Sequence, residues 1–178
     1  SQWQCVELVN RLYLTRGWIS STWYGNGDQM YSTAPANLSK QANGSISYVG
    51  PGDVVSTRVY LNGLLLQGGH VLIVNNAANQ SSGTVPLVSQ NSGGATNAPV
   101  TGSATLSGGT ISMSGSGGYS YAVVGVVHAS GGGSGGTGTG GSGAPFQAAF
   151  QANTGSLYQY SSSSGPANLG QGMASGTS

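Results

Sequence analysis

A run of glycine, serine and threonine between Ala129 and Ala144 is the strongest constraint on how this chain can fold. The run has no apolar spacing that would suit a helix or a strand, so it cannot contribute to a core. Chains of this composition behave as flexible linkers, and random-coil scaling gives this one a reach of roughly 20 to 25 Å. We therefore predict a domain over residues 1–128, a linker over 129–144 and a smaller unit over 145–178.

Formal charge is confined to the first third of the chain. Charged residues make up 4% of the 178 residues and leave a net charge of +1. They are Glu7, Arg11, Arg16, Asp28, Lys40, Asp53 and Arg58. A surface with so few cations cannot neutralise a run of phosphates, which argues against a nucleic-acid partner. No apolar run approaches the roughly 18 residues that cross a bilayer, so we expect no membrane span.

Apolar spacing predicts one helix at the start of the chain and strands after it. Val6, Val9 and Leu12 recur at helical intervals within residues 3–14, and Gly17 is placed to end that helix. Asp28 is placed to cap a second, short helix through Met30.

Short apolar runs at 54–55, 70–74, 85–88 and 119–127 are typical of strands. A hairpin is expected across Gly108 and Gly109. We therefore predict an α+β fold in which one or two N-terminal helices pack on an antiparallel sheet of about five or six strands.

The single cysteine, Cys5, opens the predicted helix, and His70 opens the strand that follows Gly68 and Gly69. A thiolate attacks where a thiol does not, and the free N–H groups at a helix start favour the thiolate. A histidine can take the thiol proton and then return it to a leaving amine, while an amide such as Asn91 fixes the imidazole tautomer. These residue types, in this order, predict a cysteine nucleophile site, with Gln4 as a candidate donor to the oxyanion.

Five segments resemble the CHAP family, the cysteine, histidine-dependent amidohydrolases and peptidases. They are QCVELVNRLY, WYGNGDQMY, VGPGDVV, QGGHVLIV and LVSQN, and they occur in the family's order over roughly residues 2 to 128. The resemblance implies a papain-like α+β domain that hydrolyses amide bonds, most often in peptidoglycan peptides. It also implies that Cys5 is the nucleophile and His70 the base. From the residues present we expect neither a cofactor nor a metal site, and a calcium site upstream of this sequence stays open.

The third catalytic group of the family lies in a segment like Ser89-Gln90-Asn91. A glutamate often stands two residues before the asparagine, and this chain has Ser89 there. Asn91 is therefore the better candidate for the residue that orients His70. The same departure supports an alternative hypothesis, a cell-wall-binding or surface module that keeps the fold with little or no activity.

The ends of the chain carry weaker signals. The segments FQANTG and NLGQGM, followed by GTS, resemble one unit of the tandem repeats of some secreted actinobacterial proteins. We expect 145–178 to be part of such a module, and we expect the domain to be truncated before Ser1. No signal peptide is visible. The family resemblance and the neutral, hydroxyl-rich composition nevertheless favour a secreted or cell-surface bacterial protein.

Other interpretations of the same residues remain open. Free cysteines are among the most buried residue types, so Cys5 is also suited to a core position. His128 is expected to be a solvated strand end, and Asp53 a turn residue. Asp28 lacks the companion carboxylates that a calcium loop needs. Amidase and endopeptidase activities are both compatible with the sequence.

Overall fold

The computed structural model describes residues 4–92, 95–129, 147–151, 156–161 and 165–171. One helix, α1 (Cys5–Thr15), precedes a seven-stranded antiparallel sheet with the order β1-β7-β2-β3-β4-β5-β6. Its strands are β1 (Lys40–Ala42), β2 (Val54–Leu61), β3 (Leu64–Val74), β4 (Gly83–Ser92), β5 (Ala95–Ser107), β6 (Thr110–Ser112) and β7 (Tyr119–Val127). A separate three-stranded sheet contains β8 (Gln147–Gln151), β9 (Ser156–Ser161) and β10 (Gly165–Gln171). Apart from Ala129, the predicted linker lies outside the described residues.

The predicted papain-like α+β fold with N-terminal helices is wrong. The described chain is mostly β, with α1 as its one short helix and a main sheet that curls into a half-barrel. The second helix that was expected through Met30 is replaced by turns. Two isolated helical hydrogen bonds occur there, from the N–H of Met30 to the carbonyl of Asn26 and from Thr33 to Gln29. Such turns do not propagate because Gly25 and Gly27 precede them and Pro35 follows.

The prediction of the first helix is confirmed. Residues Leu8, Val9, Leu12 and Tyr13 are buried along one face of α1, as the apolar spacing requires. Gly17 adopts a positive φ of 67° immediately after the helix, a conformation that glycine supplies at low cost. The apolar pattern thus locates this element, and Gly17 accounts for its C-terminal end.

The strand that carries His70 begins earlier than predicted, at Leu64. Asn62 and Gly63 have φ angles of 50° and 81°, which is the two-residue hairpin turn that suits the twist of adjoining strands. This turn joins β2 directly to β3, so that Leu64 already pairs with Leu61. The apolar run at 70–74 is therefore only the buried end of a longer strand.

The two faces of the sheet bury different clusters. On one face, α1 packs against residues that include Val54, Val71, Ile73 and Val127. On the other face, the curled sheet encloses a second cluster of side chains: Val55, Leu72, Val74, Val85, Leu87, Ala104, Leu106, Ile111 and Val126. Because side chains alternate along a strand, consecutive residues of β3 serve the two clusters in turn.

A buried hydrogen-bonded pair, Asp53 and His128, lies beside the end of β7, and the interpretation of His128 as a solvated strand end is wrong. His128 is 3% exposed, and its Nδ1 lies 2.8 Å from Oδ2 of Asp53, which is fully buried. The same carboxylate accepts the backbone N–H groups of Gly50 and Ala129. Tyr48 stacks on the His128 ring at a centroid distance of 4.4 Å. Asp53 therefore binds the turn at Gly50, the backbone of Ala129 and the His128 side chain, whereas the sequence had suggested only a turn residue.

Removing the Asp53 carboxylate should destabilise the domain strongly. Asp53→Ala leaves two backbone donors and the His128 ring without their acceptor, and breaking a buried pair costs about 3 to 5 kcal/mol. Urea unfolding of the variant should show that loss. Glu7→Ala is the matched control, because its ion pair with Arg11 is a partly exposed i,i+4 pair, a type of pair worth about 0.5 kcal/mol. Equal losses in the two variants would contradict this assignment.

Candidate functional site

The thiol of Cys5 lies where the start of α1 meets β3. Cys5 is the first residue of α1, and Gln4 before it has an extended backbone. The backbone N–H groups of Val71 and Val6 lie beside the sulfur and act to lower the pKa of the thiol. Cys5 is 9% exposed because it belongs to the same buried face of the helix as Leu8. The helix thus brings the thiol to the strand residue that directly follows His70.

The position of His70 depends on a loop that packs tightly against β3. A Cβ atom on Gly27 would lie 2.6 Å from the backbone of His70, and one on Gly69 would lie 2.5 Å from the Asp28 side chain. Gly69 also has a positive φ of 55°. The Thr57 hydroxyl donates to the His70 carbonyl at 2.9 Å. The glycine before His70 is therefore required for the close approach of the chain's own loop.

His70 faces away from α1 and into a cavity on the curled side of the sheet. The cavity has a volume of about 200 Å³. The His70 side chain is buried, and its Nε2 has no hydrogen-bond partner among the described residues. The other lining residues are neutral: Leu72, Ser89, Thr101, Gly102, Ser103, Met113, Ser114 and Tyr121. An unpaired buried nitrogen beside an open space is available to a bound molecule.

The candidate third residue, Asn91, meets Gln4 in this structure. Its Nδ2 donates to Oε1 of Gln4 at 3.2 Å. Asn91 is exposed and has a positive φ of 55°, which turns its side chain out of the regular alternation of β4. Ser89, by contrast, is buried and lines the cavity with His70. Gln4 therefore contacts Asn91, whereas His70 shares its cavity with Ser89.

Burial keeps both chemical groups of the site neutral. Burial raises the pKa of the Cys5 thiol above its ordinary value, and the N–H groups that point at the sulfur only partly oppose this. Burial also lowers the pKa of His70 from 6.5 to about 4. At neutral pH Cys5 is thus a thiol and His70 a neutral imidazole. The sequence pattern had instead predicted a thiolate, stabilised by the N-terminus of the helix. A neutral imidazole can accept the thiol proton as the sulfur attacks.

Sequence reasoning missed Gln90, whose side chain is fully buried. Neither its Oε1 nor its Nε2 has a hydrogen-bond partner among the described residues. Gln90 pairs with Pro99 of β5 and lies two residues beyond Val88, where the pairing of β3 with β4 ends. Buried amide groups without partners cost about 1 to 3 kcal/mol each. In the sequence, Gln90 stands among the polar residues Ser89, Asn91 and Ser92 at the end of β4, so no local signal marks it as buried.

The described residues hold neither a metal-binding cluster nor a membrane-spanning helix. Within it, no cluster of three or more His, Cys, Asp or Glu side chains is arranged to hold a metal ion. Its one helix has 11 residues, too few to cross a bilayer. In the comparisons with known proteins, no family model, no curated protein and no solved structure matches this chain.

The burial of His70 should make stability depend on pH. Because the folded-state pKa of His70 is depressed to about 4 from 6.5, the stability is intact above pH 6.5 and is lost as the pH falls towards 4. The loss is on the order of 3 kcal/mol across that interval. His70→Gln should remove this contribution. Urea unfolding of both proteins at several pH values in this interval measures it, and parallel pH profiles would contradict it.

Proposed function

We propose that this protein hydrolyses amide bonds of peptidoglycan peptides with Cys5 as the nucleophile. The observation that carries the proposal is the position of the Cys5 sulfur beside the backbone N–H of Val71, which acts to lower the pKa of the thiol. This contact places a thiol at a helix start next to the residue that follows a buried, unpaired histidine. The resemblance of the segments around Cys5, His70 and Asn91 to the CHAP family supports the choice of substrate.

The proposed reaction uses both groups in their neutral state. It requires the His70 side chain, which faces away from α1 in this structure, to turn towards the Cys5 sulfur. The Cys5 sulfur attacks the carbonyl carbon while His70 takes the thiol proton. The tetrahedral oxyanion then needs donors, and the Gln4 side-chain amide is the proposed one. Collapse of this intermediate breaks the C–N bond, and the imidazolium of His70 gives its proton to the leaving amine. Water, deprotonated by His70, then hydrolyses the Cys5 thioester and releases the acid.

A secreted or cell-surface location is part of the proposal. The chain has only one cysteine, so Cys5 has no partner for an internal disulfide. An unpaired cysteine in an extracellular protein is more often a reactive thiol than a structural element. The neutral surface, rich in glycine and hydroxyl groups, suits contact with a cell-wall matrix. Amidase and endopeptidase activities differ only in which amide reaches the sulfur.

Cys5→Ala should abolish the release of new amino groups from purified peptidoglycan and leave the circular dichroism spectrum unchanged. The loss is expected to be complete because no other residue of the chain carries a thiol. Mass spectrometry of the wild-type products identifies the bond that was cleaved. Hydrolysis by the Cys5→Ala protein at the wild-type rate would eliminate the proposal.

A second candidate function is a wall-binding module without hydrolysis, favoured by the burial of the thiol and of His70. Pull-down with insoluble peptidoglycan separates the two. The binding module predicts that wild type and Cys5→Ala bind equally and that neither releases amino groups.

The residue that orients His70 is tested by comparing two neighbouring variants. If Asn91 has this role, Asn91→Ala should lower turnover of a soluble stem peptide by about 10² or more, while Ser89→Ala changes it little. The burial of Ser89 beside His70 makes the reverse result the specific alternative. In both variants Cys5 should still react with iodoacetamide, which shows that the nucleophile itself is intact.

A further inference from the structure

The lining of the cavity beside His70 includes Gly102, a position where neither the backbone angle nor close packing requires glycine. Gly102 lies on β5 opposite Leu87 of β4. It shares the inward face of β5 with Ala104 and Leu106, which are both buried in the inner cluster. Gly102 is itself exposed and lies at the open side of the space that His70 and Ser89 line, so a side chain at this position would extend into that space.

Neither backbone conformation nor packing explains this glycine. The other glycines whose surroundings the structure describes either have a positive φ or would bring a Cβ atom closer than 3.0 Å to a neighbour. Gly102 has no positive φ, and a Cβ atom there would meet nothing within 4 Å. Glycine weakens the interior of a strand, and its presence often marks the close approach of a ligand. The glycine at position 102 thus leaves the space beside it unfilled.

The lining determines the kind of group that fits. The cavity contains the apolar side chains of Leu72 and Met113 and the hydroxyl groups of Ser89, Ser114 and Tyr121, with no Asp, Glu, Lys or Arg. A charged group would find no ion-pair partner among these lining residues, whereas an apolar group would contact Leu72 and Met113. The volume of about 200 Å³ exceeds the roughly 150 Å³ that holds a benzene molecule. An uncharged side chain up to about the size of leucine therefore fits.

We propose that the cavity is a specificity subsite that takes the uncharged side chain of the residue whose nitrogen leaves. This assignment rests on the proposed hydrolysis, in which His70 protonates the leaving amine and so lies beside that residue. Gly102 is the specificity-determining position, because its missing side chain provides the space. In a wall peptide this subsite selects amides whose nitrogen belongs to alanine or glycine over those of glutamate or lysine.

Quenched fluorescent peptides with the scissile pair Ala–Xaa test the subsite, with glycine, leucine, glutamate or lysine as Xaa. Wild-type kcat/KM should be higher for leucine than for glutamate or lysine by about tenfold or more. In Gly102→Leu the new side chain fills the cavity, so kcat/KM for the leucine peptide should fall by about tenfold or more. The glycine peptide needs no cavity and should keep its rate.

Thr105→Leu is the matched control, since Thr105 is exposed on the same strand and does not line the cavity. It should leave the ratio of leucine to glycine turnover unchanged. Gly102→Leu should melt at or above the wild-type temperature, because the strand loses a glycine without a clash. An unchanged leucine-to-glycine ratio in a folded Gly102→Leu protein would overturn the subsite.

Direct binding separates this inference from the proposed function. Isothermal titration of the leucine peptide into Cys5→Ala should give a Kd that rises by about tenfold or more when Gly102→Leu is added. If wild type cleaves no peptide but this difference in Kd is present, the hydrolysis proposal fails and the subsite stands. If the peptides are cleaved but neither Kd nor kcat/KM responds to Gly102→Leu, the subsite fails and the hydrolase stands.

Discussion

The close packing of residues 27 and 28 against β3 is the constraint on which the rest of the site depends. Gly27 lies directly on the backbone of His70, and Asp28 lies against Gly69. The Ser56 hydroxyl donates to the Gly27 carbonyl at 2.6 Å and holds the loop against the neighbouring strand. With one face of β3 covered in this way, the His70 side chain is directed to the opposite face. The helix then meets the strand at the next residue, Val71.

Burial has a larger effect on the protonation of Cys5 than the favourable electrostatics of the helix N-terminus. Burial also keeps His70 neutral. A helix N-terminus stabilises a negative group by about 0.3 to 1 kcal/mol, and by about 2 kcal/mol in favourable geometry. Desolvating an isolated charge costs considerably more, and buried groups respond by becoming neutral. The raised pKa of Cys5 and the lowered pKa of His70 both follow from this difference. Proton transfer during the attack, rather than a stored ion pair, is the chemistry that such a site supports.

Two polar features of the interior have different physical roles. The pair of Asp53 and His128 is fully satisfied by hydrogen bonds, and it ties together segments that are far apart in sequence. Gln90 and the Nε2 atom of His70 are buried without partners among the described residues. Satisfied networks stabilise a fold, whereas unpaired buried groups cost stability and mark places where a ligand can supply the missing bond. The unpaired groups lie around β3 and β4, where the thiol also lies.

The sequence alone determined the local elements and the chemistry that they carry. The spacing of Val6, Val9 and Leu12 specified α1, and the position of Cys5 at its start followed from the same pattern. The tertiary structure decided what local patterns do not encode: which face of β3 carries His70, and that Ser89 shares its cavity while Asn91 meets Gln4. It also decided the fold class, because turns at 26–35 do not propagate into a helix and the Asn62-Gly63 hairpin lengthens the sheet. Burial, register and strand curvature arise from contacts between distant residues, and a one-dimensional pattern does not specify those contacts.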